Sequence, residues 1–249
     1  MTKSPFVADL TWDVVRDALA AGASAILPIG AGSKQHGLHM PLATDARQAE
    51  RFAVEAAERA GGLIWPTLTY GYYPAFADYA GSVSLQQATF EALVRDVVES
   101  LLKQTASFVL VIDTGVSTIE PARKAIAATS APSRVHHLTI YQGARLIVAR
   151  DKIEQQDMGS HAEEIETSIM LALAPDAVDM TRAEASPPGR GSAPGPLSPL
   201  DPGSPNYAPS GSYGDPMLAS VEKGQRLLAA IRQDIEEAIS RAGTTTSAL

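Results

Sequence analysis

The chain has 249 residues, of which 45% are hydrophobic and 19% are charged, so it can bury a sizeable core. Its formal net charge of −8 and pI near 5.1 exclude a sequence-independent attraction to nucleic acid or to an anionic membrane surface. It contains no cysteine, which excludes disulfides and thiolate ligands, so any metal must be held by His, Asp or Glu. No segment approaches the roughly 20 apolar residues of a membrane span, and we expect a cytoplasmic protein.

Predicted helices and strands alternate along the chain. In chain order we expect a helix over 10–21, a strand over 25–29, a helix over 44–60, a strand opening at 63–65, a helix after Ser84 that includes 90–102, a strand over 108–112, a helix over 120–129, a strand over 135–141, and helices over 161–174 and 218–242. Alternation of this kind predicts an α/β fold, a layered sandwich with a mostly parallel central sheet flanked by helices. We expect one domain over residues 1–249.

Two long loops interrupt this pattern. Residues 70–84 contain several aromatic residues, among them Tyr73, and could wall a pocket. Residues 186–214 are rich in Pro, Gly and Ser and have too little apolar content to pack alone, so we expect a long loop or a partner-binding arm there.

The loop that follows the first strand, residues 30–45, brings two histidines and a carboxylate together. At the carboxyl end of a parallel strand, His36 and Asp45 could converge on one metal ion. The structural alternative is a turn in which Asp45 caps the next helix and His39 packs on the surface.

A second polar segment, residues 159–168, carries three acidic residues. On a helical wheel Glu166 falls on the apolar side, whereas Glu163 and Glu164 point to the other side. A buried carboxylate is costly unless it is paired, hydrogen-bonded or bound to a cation, so Glu166 is the better ligand candidate. The alternative is that Glu166 accepts hydrogen bonds from loop amides or from Lys34.

Both segments resemble motifs of the creatininase (creatinine amidohydrolase) family. The first resembles the run Glu-Gln-His-Gly-x-His-Leu-Pro-Leu-x-Thr-Asp, and the second resembles His-Ala-Gly-Glu-x-Glu-Thr-Ser. Residues 211–216 resemble a late motif of the family before its final helix. The residues aligned with the first motif are Lys34, Gln35, His36, Gly37, His39, Met40, Pro41, Leu42, Thr44 and Asp45.

The resemblance implies a creatininase-like fold, a hexameric homo-oligomer, and a dinuclear Zn²⁺ or Mn²⁺ centre that activates water against an amide of a small molecule. The sequence departs from the family pattern at two ligand positions. Lys34 stands at a usual metal-binding Glu, and Gly115 stands at a usual ligand His within residues 113–118. We therefore expect one divalent metal, Zn²⁺ or Mn²⁺, or none, with the Lys34 ammonium neutralising carboxylates that the other ion would serve.

Nine candidate site residues follow from these motifs. His36, Asp45 and Glu166 are the expected metal ligands, and His161 is a fourth ligand or a general acid and base. The expected catalytic residues are Lys34, His161 and Glu164; the expected substrate-binding residues are Asp113, Ser117 and Tyr73.

Three functions are compatible with this pattern. The first is an amidohydrolase that hydrolyses a C–N bond of a small substrate through a metal-activated water. The second is a metal-independent family member with a Lys34-centred site. The third is a non-catalytic binding protein.

Overall fold

The computed structural model describes residues 4–105, 107–187 and 195–246 of the chain. The strands are β1 (Ala25–Ile29), β2 (Leu63–Ile64), β3 (Val109–Asp113) and β4 (Val135–Thr139). The α-helices are α1 (Trp12–Ala20), α2 (Thr44–Ala60), α3 (Gln87–Gln104), α4 (Ile119–Ala127), α5 (Ala144–Arg150), α6 (Glu164–Leu173) and α7 (Val221–Thr246).

The four strands form one parallel sheet in the order β2-β1-β3-β4. Every residue of β1 and β3 is buried, which is why both read as continuous apolar runs instead of alternating ones. The parallel sheet flanked by helices confirms the predicted fold class. Because all strands run the same way, the loops that follow β1, β3 and β4 leave from one edge of the sheet.

Each face of the sheet carries its own apolar core. One core packs alternate residues of the strands, such as Ile26, Leu110 and Ile112, against α2, α5, α6 and α7. The other packs the intervening residues, such as Leu27 and Val111, against α3 and α4. The sheet is therefore the middle of three layers, and α2 and α6, which carry site residues, lie on the same side of it.

Proline occurs within the central strand β1, at a position where its missing N–H costs nothing. The carbonyl oxygen of Pro28 accepts a hydrogen bond from the Leu68 amide (2.9 Å), on the side of β2. The strand β2 pairs only with Ala25 and Ile26, so the nitrogen of Pro28 lies beyond the paired part of this edge.

The backbones of helices α6 and α7 are in contact at Gly224. A Cβ atom added at Gly224 would lie 1.9 Å from the carbonyl oxygen of Ser168, closer than any non-bonded contact allows. Ser168 also accepts a hydrogen bond from the Ser220 amide (3.1 Å) through its side chain. Glycine at position 224 therefore sets how deeply α6 sits against the C-terminal helix.

The structure corrects several predicted boundaries. The helix expected over 161–174 begins only at Glu164, because the Glu163 side chain accepts hydrogen bonds from the amides of Ile165 and Glu166 and so caps it. Ser84 does not cap α3; its hydroxyl accepts from the Tyr73 amide instead. The strand expected over 135–141 ends at Thr139, and the sequence analysis missed α5.

Residues 188–194 of the loop expected over 186–214 lie outside the described residues. The rest of this loop can be compared with the structure. The remaining part contains no α-helix, but it is not detached. Leu197 is buried and its amide donates to the Ala75 carbonyl oxygen (2.9 Å), while Ser212 is fully buried. This segment therefore packs against the loop at 70–84. In the part of the chain that the structure describes, no helix combines the length and the apolar composition needed to cross a bilayer.

Candidate metal centre

The loop after β1 carries the first part of the site. Gly30 follows the strand, and a Cβ atom there would lie 2.5 Å from the Asp45 carbonyl oxygen, so only glycine lets the start of α2 come this close. This approach places Asp45 at the carboxyl edge of the sheet. Lys34, His36 and Asp45 are all buried.

Lys34 and Asp45 form a buried ion pair. The Lys34 Nζ lies 2.7 Å from Asp45 Oδ2 and 4.9 Å from the centre of the Phe76 ring. Burial alone would raise the pKa of Asp45, but the positive charge of Lys34 and the neighbouring His36 hold that pKa well below its usual value. Asp45 is therefore ionised, and Lys34 serves as its counter-ion.

His36 and His161 are each oriented by a backbone carbonyl. His36 Nδ1 lies 2.9 Å from the Lys34 carbonyl oxygen, and His161 Nε2 lies 2.8 Å from that of Gln35. A carbonyl oxygen can only accept, so these ring nitrogens carry the hydrogens. In His161, whose pKa is lowered well below its usual value by burial, Nδ1 is left with a lone pair, whereas His36 Nε2 lies 2.9 Å from Asp45 Oδ1.

Both remaining ring nitrogens lie beside the carboxylate of Glu166. His36 Nε2 lies 3.6 Å from Glu166 Oε1, and His161 Nδ1 lies 3.5 Å from Glu166 Oε2. Glu166 Oε2 also accepts a hydrogen bond from the Ala162 amide (2.6 Å), so the structural alternative of a bond to a loop amide is present as well. Ala162 holds this amide in place with a left-handed backbone (φ 49°).

This arrangement fits a metal ion. His36, His161 and Glu166 each offer one ligand atom, and the three atoms lie within 4.8 Å of one another. Burial lowers the pKa of His161 well below its usual value, with a further contribution from Lys34, so its ring is neutral as a metal ligand must be. Histidine ligands whose other nitrogen donates to a carbonyl are the usual arrangement at protein metal sites.

The structure places Asp45 beside this trio. Its Oδ1 lies 2.9 Å from His36 Nε2, but its Oδ2 faces Lys34. His161, expected as a fourth ligand or an acid and base, is instead one of the three grouped residues.

The three expected substrate-binding residues lie in different places. Asp113 is fully buried, and its oxygens accept from the Gly115 amide, the Thr118 hydroxyl and the His137 ring. This placement does not support substrate contact by Asp113. Ser117 lines the cavity described below, although its hydroxyl donates to the Tyr72 carbonyl oxygen (2.6 Å). Tyr73 is buried, with the Lys34 Nζ 5.6 Å from its ring centre.

The prediction that Glu163 and Glu164 point away from the apolar side is wrong, since both are buried. Glu164 accepts hydrogen bonds from the Gln155 and Gln156 amides and pairs with Lys223. With its carboxylate engaged in this way, Glu164 holds elements together, and its placement does not support the catalytic role expected from the sequence. The pattern of apolar residues missed these contacts because their partners come from distant segments.

The structure also contradicts the alternative in which His39 packs on the surface. His39 is buried, and its Nε2 lies 2.8 Å from the Thr167 hydroxyl. It therefore joins the loop after β1 to α6 at Thr167, the residue that follows Glu166.

A cavity of about 500 Å³ opens next to the grouped ligands. Lys34, His161, Glu163 and Glu166 lie at its polar end. Phe76, from the aromatic loop expected to wall a pocket, lies in the wall with its ring centre 4.3 Å from that of His161. Tyr141, which donates to Gln48 Oε1 (2.7 Å), is a further wall residue that the sequence did not predict. Burial and the nearby carboxylates raise the pKa of Tyr141 well above its usual value. The phenol is therefore neutral and can donate.

The site can now be set beside known proteins. Residues 8–239 match the protein family described as "Creatininase: Creatinine amidohydrolase". The chain belongs to the creatininase family. It is 30% identical to the creatinine amidohydrolase of Pseudomonas putida over 260 aligned residues, which cover 96% of this chain and 97% of that protein. It is 27% identical to the mycofactocin precursor peptide peptidase of Mycolicibacterium smegmatis, over 87% of this chain and 84% of that protein.

Solved structures of creatininases share the fold. One described as "Creatininase Mn" has a TM-score of 0.82 at 28% identity, covering 96% of this chain and 98% of that chain. A mutant creatininase of Zn–Zn type has a TM-score of 0.81 at 27% identity with the same coverage. Creatininases thus carry Mn or Zn, and the grouped ligands of this family member suit the same ions.

Proposed function

We propose that this chain is a creatininase-family amidohydrolase that hydrolyses a C–N bond with the help of one divalent ion, Zn²⁺ or Mn²⁺. In this proposal His36, His161 and Glu166 hold the ion, and Asp45 acts as the counter-ion of Lys34 instead of the ligand that the sequence suggested. The amidohydrolase and peptidase names of its relatives support C–N bond hydrolysis as the reaction class.

One observation carries the proposal: the ligand atoms of His36, His161 and Glu166 are buried within 4.8 Å of one another, and the two ring nitrogens lie 3.6 and 3.5 Å from the Glu166 carboxylate. The neutral His161 Nδ1 and the Glu166 carboxylate are both acceptors in a buried place, which is costly unless a cation lies between them. A divalent ion bound there would act as a Lewis acid that polarises an amide carbonyl and makes a water molecule more acidic.

Lys34 supplies the second positive charge of the site. Its ammonium carries three hydrogens, gives one to Asp45, and lines the polar end of the cavity. A hydrogen directed into the cavity can stabilise negative charge on the amide oxygen as water adds to the carbonyl carbon. The neighbouring Phe76 ring excludes water from this ammonium, which strengthens its field.

The direct test is metal content combined with turnover. Protein purified and reloaded with Zn²⁺ or Mn²⁺ should bind about one ion per chain and hydrolyse amides from a panel that includes creatinine. A chelator should abolish turnover, and the His161→Ala variant should lose both the ion and activity. Glu164→Gln serves as the matched control, because its carboxylate belongs to the same helix but faces Lys223.

Three outcomes would contradict the proposed single-ion enzyme. Two ions per chain would mean that Lys34 does not replace a cation. Turnover that resists the chelator but is lost in Lys34→Met would favour the metal-independent, Lys34-centred enzyme. No turnover of any amide by the loaded protein would favour a non-catalytic binding protein.

We also propose that the chain works as one domain in a cytoplasmic homo-oligomer, a hexamer by family resemblance. The absence of cysteine suits a reducing compartment, and exposed apolar side chains such as Trp12 and Tyr70 offer contact surface. Sedimentation equilibrium should give about six times the chain mass of 26.2 kDa, and a monomer would overturn the assembly proposal.

A further inference from the structure

The lining of the cavity beside the ligands is of two chemical kinds. Its polar end is formed by Lys34, His161, Glu163 and Glu166. The rest includes the polar residues Thr114, Ser117, Gln142, Arg150, Glu154 and Ser160, but most of the lining surface is apolar. The large apolar side chains come from five separate stretches of the chain, and they are Phe76, Val116, Leu146, Ile147, Leu197 and Tyr213.

The apolar wall is built into the fold. Leu146 is almost fully buried and belongs to the core that packs α5 against the sheet, and Leu197 is buried and tied to the Ala75 backbone. Val116, at the mouth of the cavity, is 63% exposed. The wall is therefore a formed surface, with an apolar side chain left open at its entrance.

The two charged residues that line the α5 side of the cavity form an ion pair. Arg150 lies 3.4 Å from Glu154, and it also lies 2.9 Å from Asp151, which is not part of the lining. A charged group on a bound molecule would have to compete with these pairs, whereas an apolar group would not.

The volume also exceeds what a very small substrate needs. A cavity of about 500 Å³ is in the range that encloses drug-sized molecules, well above the size of creatinine. A small polar molecule bound at the ligands would leave most of the apolar wall in contact with water.

From these observations we infer that the substrate is an amide carrying a bulky apolar group, such as the apolar side chain of a peptide, with its carbonyl at the ligands and its apolar group along the wall. This inference rests on the proposed amidohydrolase function and adds the substrate class. It predicts that creatinine is a poor substrate.

The test uses metal-loaded protein and a series of N-acetyl amino acid amides, with ammonia release from the terminal amide as readout. The value of kcat/KM should rise by on the order of 10- to 100-fold from alanine amide to leucine or phenylalanine amide, following the apolar area buried. Creatinine should fall below the phenylalanine compound. Equal rates across the series, or a preference for creatinine, would overturn the inference.

A pair of variants locates the effect. Val116→Asp should reduce the preference for phenylalanine over alanine amide several-fold, because it places a charge at the cavity mouth. Val148→Asp is the matched control, because Val148 is 53% exposed on α5 and does not line the cavity. The preference of this variant for phenylalanine over alanine amide should equal that of the unmodified protein. Equal loss in both variants would contradict the proposed wall.

A binding measurement separates failure of the inference from failure of the proposed function. If no amide is hydrolysed, the amidohydrolase proposal fails, and calorimetry with N-acetyl-phenylalaninamide still tests the wall. Binding with a negative heat capacity change, weakened in Val116→Asp, would retain the apolar ligand class. Absence of binding would contradict the inference that the cavity takes an apolar ligand.

Discussion

Two buried carboxylates of the site, Asp45 and Glu166, are neutralised in different ways. Asp45 has its counter-ion within the chain, since Lys34 Nζ lies 2.7 Å from one oxygen. Glu166 has no Lys or Arg partner among the described residues; its oxygens lie 3.6 and 3.5 Å from His36 Nε2 and His161 Nδ1, and one of them accepts from the Ala162 amide. Asp45 therefore has an ammonium counter-ion, whereas Glu166 has none in the part of the chain that the structure describes.

This difference separates the two carboxylates by the group that can neutralise each of them. An ammonium can serve as the cation for a carboxylate that it reaches, as Lys34 does for Asp45. The Glu166 side offers two imidazoles and has no ammonium, so we expect it to require a metal. Each of the following predictions tests one side of this comparison.

The largest effect is expected when the Asp45 side is broken. Asp45→Asn leaves the buried Lys34 ammonium without its counter-ion, which should lower the free energy of unfolding of the metal-free protein by roughly 3–5 kcal/mol. Urea unfolding measures this value. The double variant Lys34→Met/Asp45→Asn removes both charges and should recover about half of the loss or more; equal instability of the single and double variants would show that the ion pair is not the cause.

Breaking the Glu166 side should affect metal binding more than folding. Glu166→Gln retains an acceptor for the Ala162 amide but removes the anionic ligand, so metal affinity should fall by at least about 100-fold, the upper end of the effect of losing an outer partner of a ligand. Titration calorimetry with Zn²⁺ measures the affinity. Glu164→Gln should show the opposite pattern, with lower stability and near-normal metal affinity. If both variants lost stability and metal affinity to the same extent, the separate roles of Glu166 and Glu164 would be contradicted.

The smallest effect concerns His39, which contacts Thr167, the neighbour of Glu166 in the chain. Burial and the neighbouring His36 lower the pKa of His39 to about 4 from about 6.5. Between these values the unfolded chain binds more protons than the native one, so the stability of the metal-free protein should fall as pH falls from about 6.5 to 4. His39→Gln should flatten that part of the stability curve in urea unfolding; an unchanged slope would assign the pH dependence to other groups.

Much of the fold could be predicted because local patterns determine it. β1 is an uninterrupted apolar run between a helix and a glycine, and α2 ends at a glycine, so both were predicted with the observed limits. By contrast, α5 is capped by Asp234 of α7, whose carboxylate accepts from the amides of Arg145 and Leu146. No local signal announces a cap supplied from so far along the chain.

The site shows the same division. The sequence predicted that His36, Asp45, Glu166 and Lys34 would meet, and the structure brings them together. It did not predict which carboxylate pairs with which cation, because that depends on atomic distances. It also placed Glu163 and Glu164 on the wrong side, since a helical wheel assumes that the helix already exists, whereas Glu163 precedes its first turn.

The tight contact at Gly224 gives the protein an unexpected vulnerability. This position touches neither the ligands nor the cavity, yet a single methyl group there would push against Ser168, two residues beyond Glu166. An inherited change from glycine to alanine could thus silence the enzyme while every residue of its chemistry stayed intact.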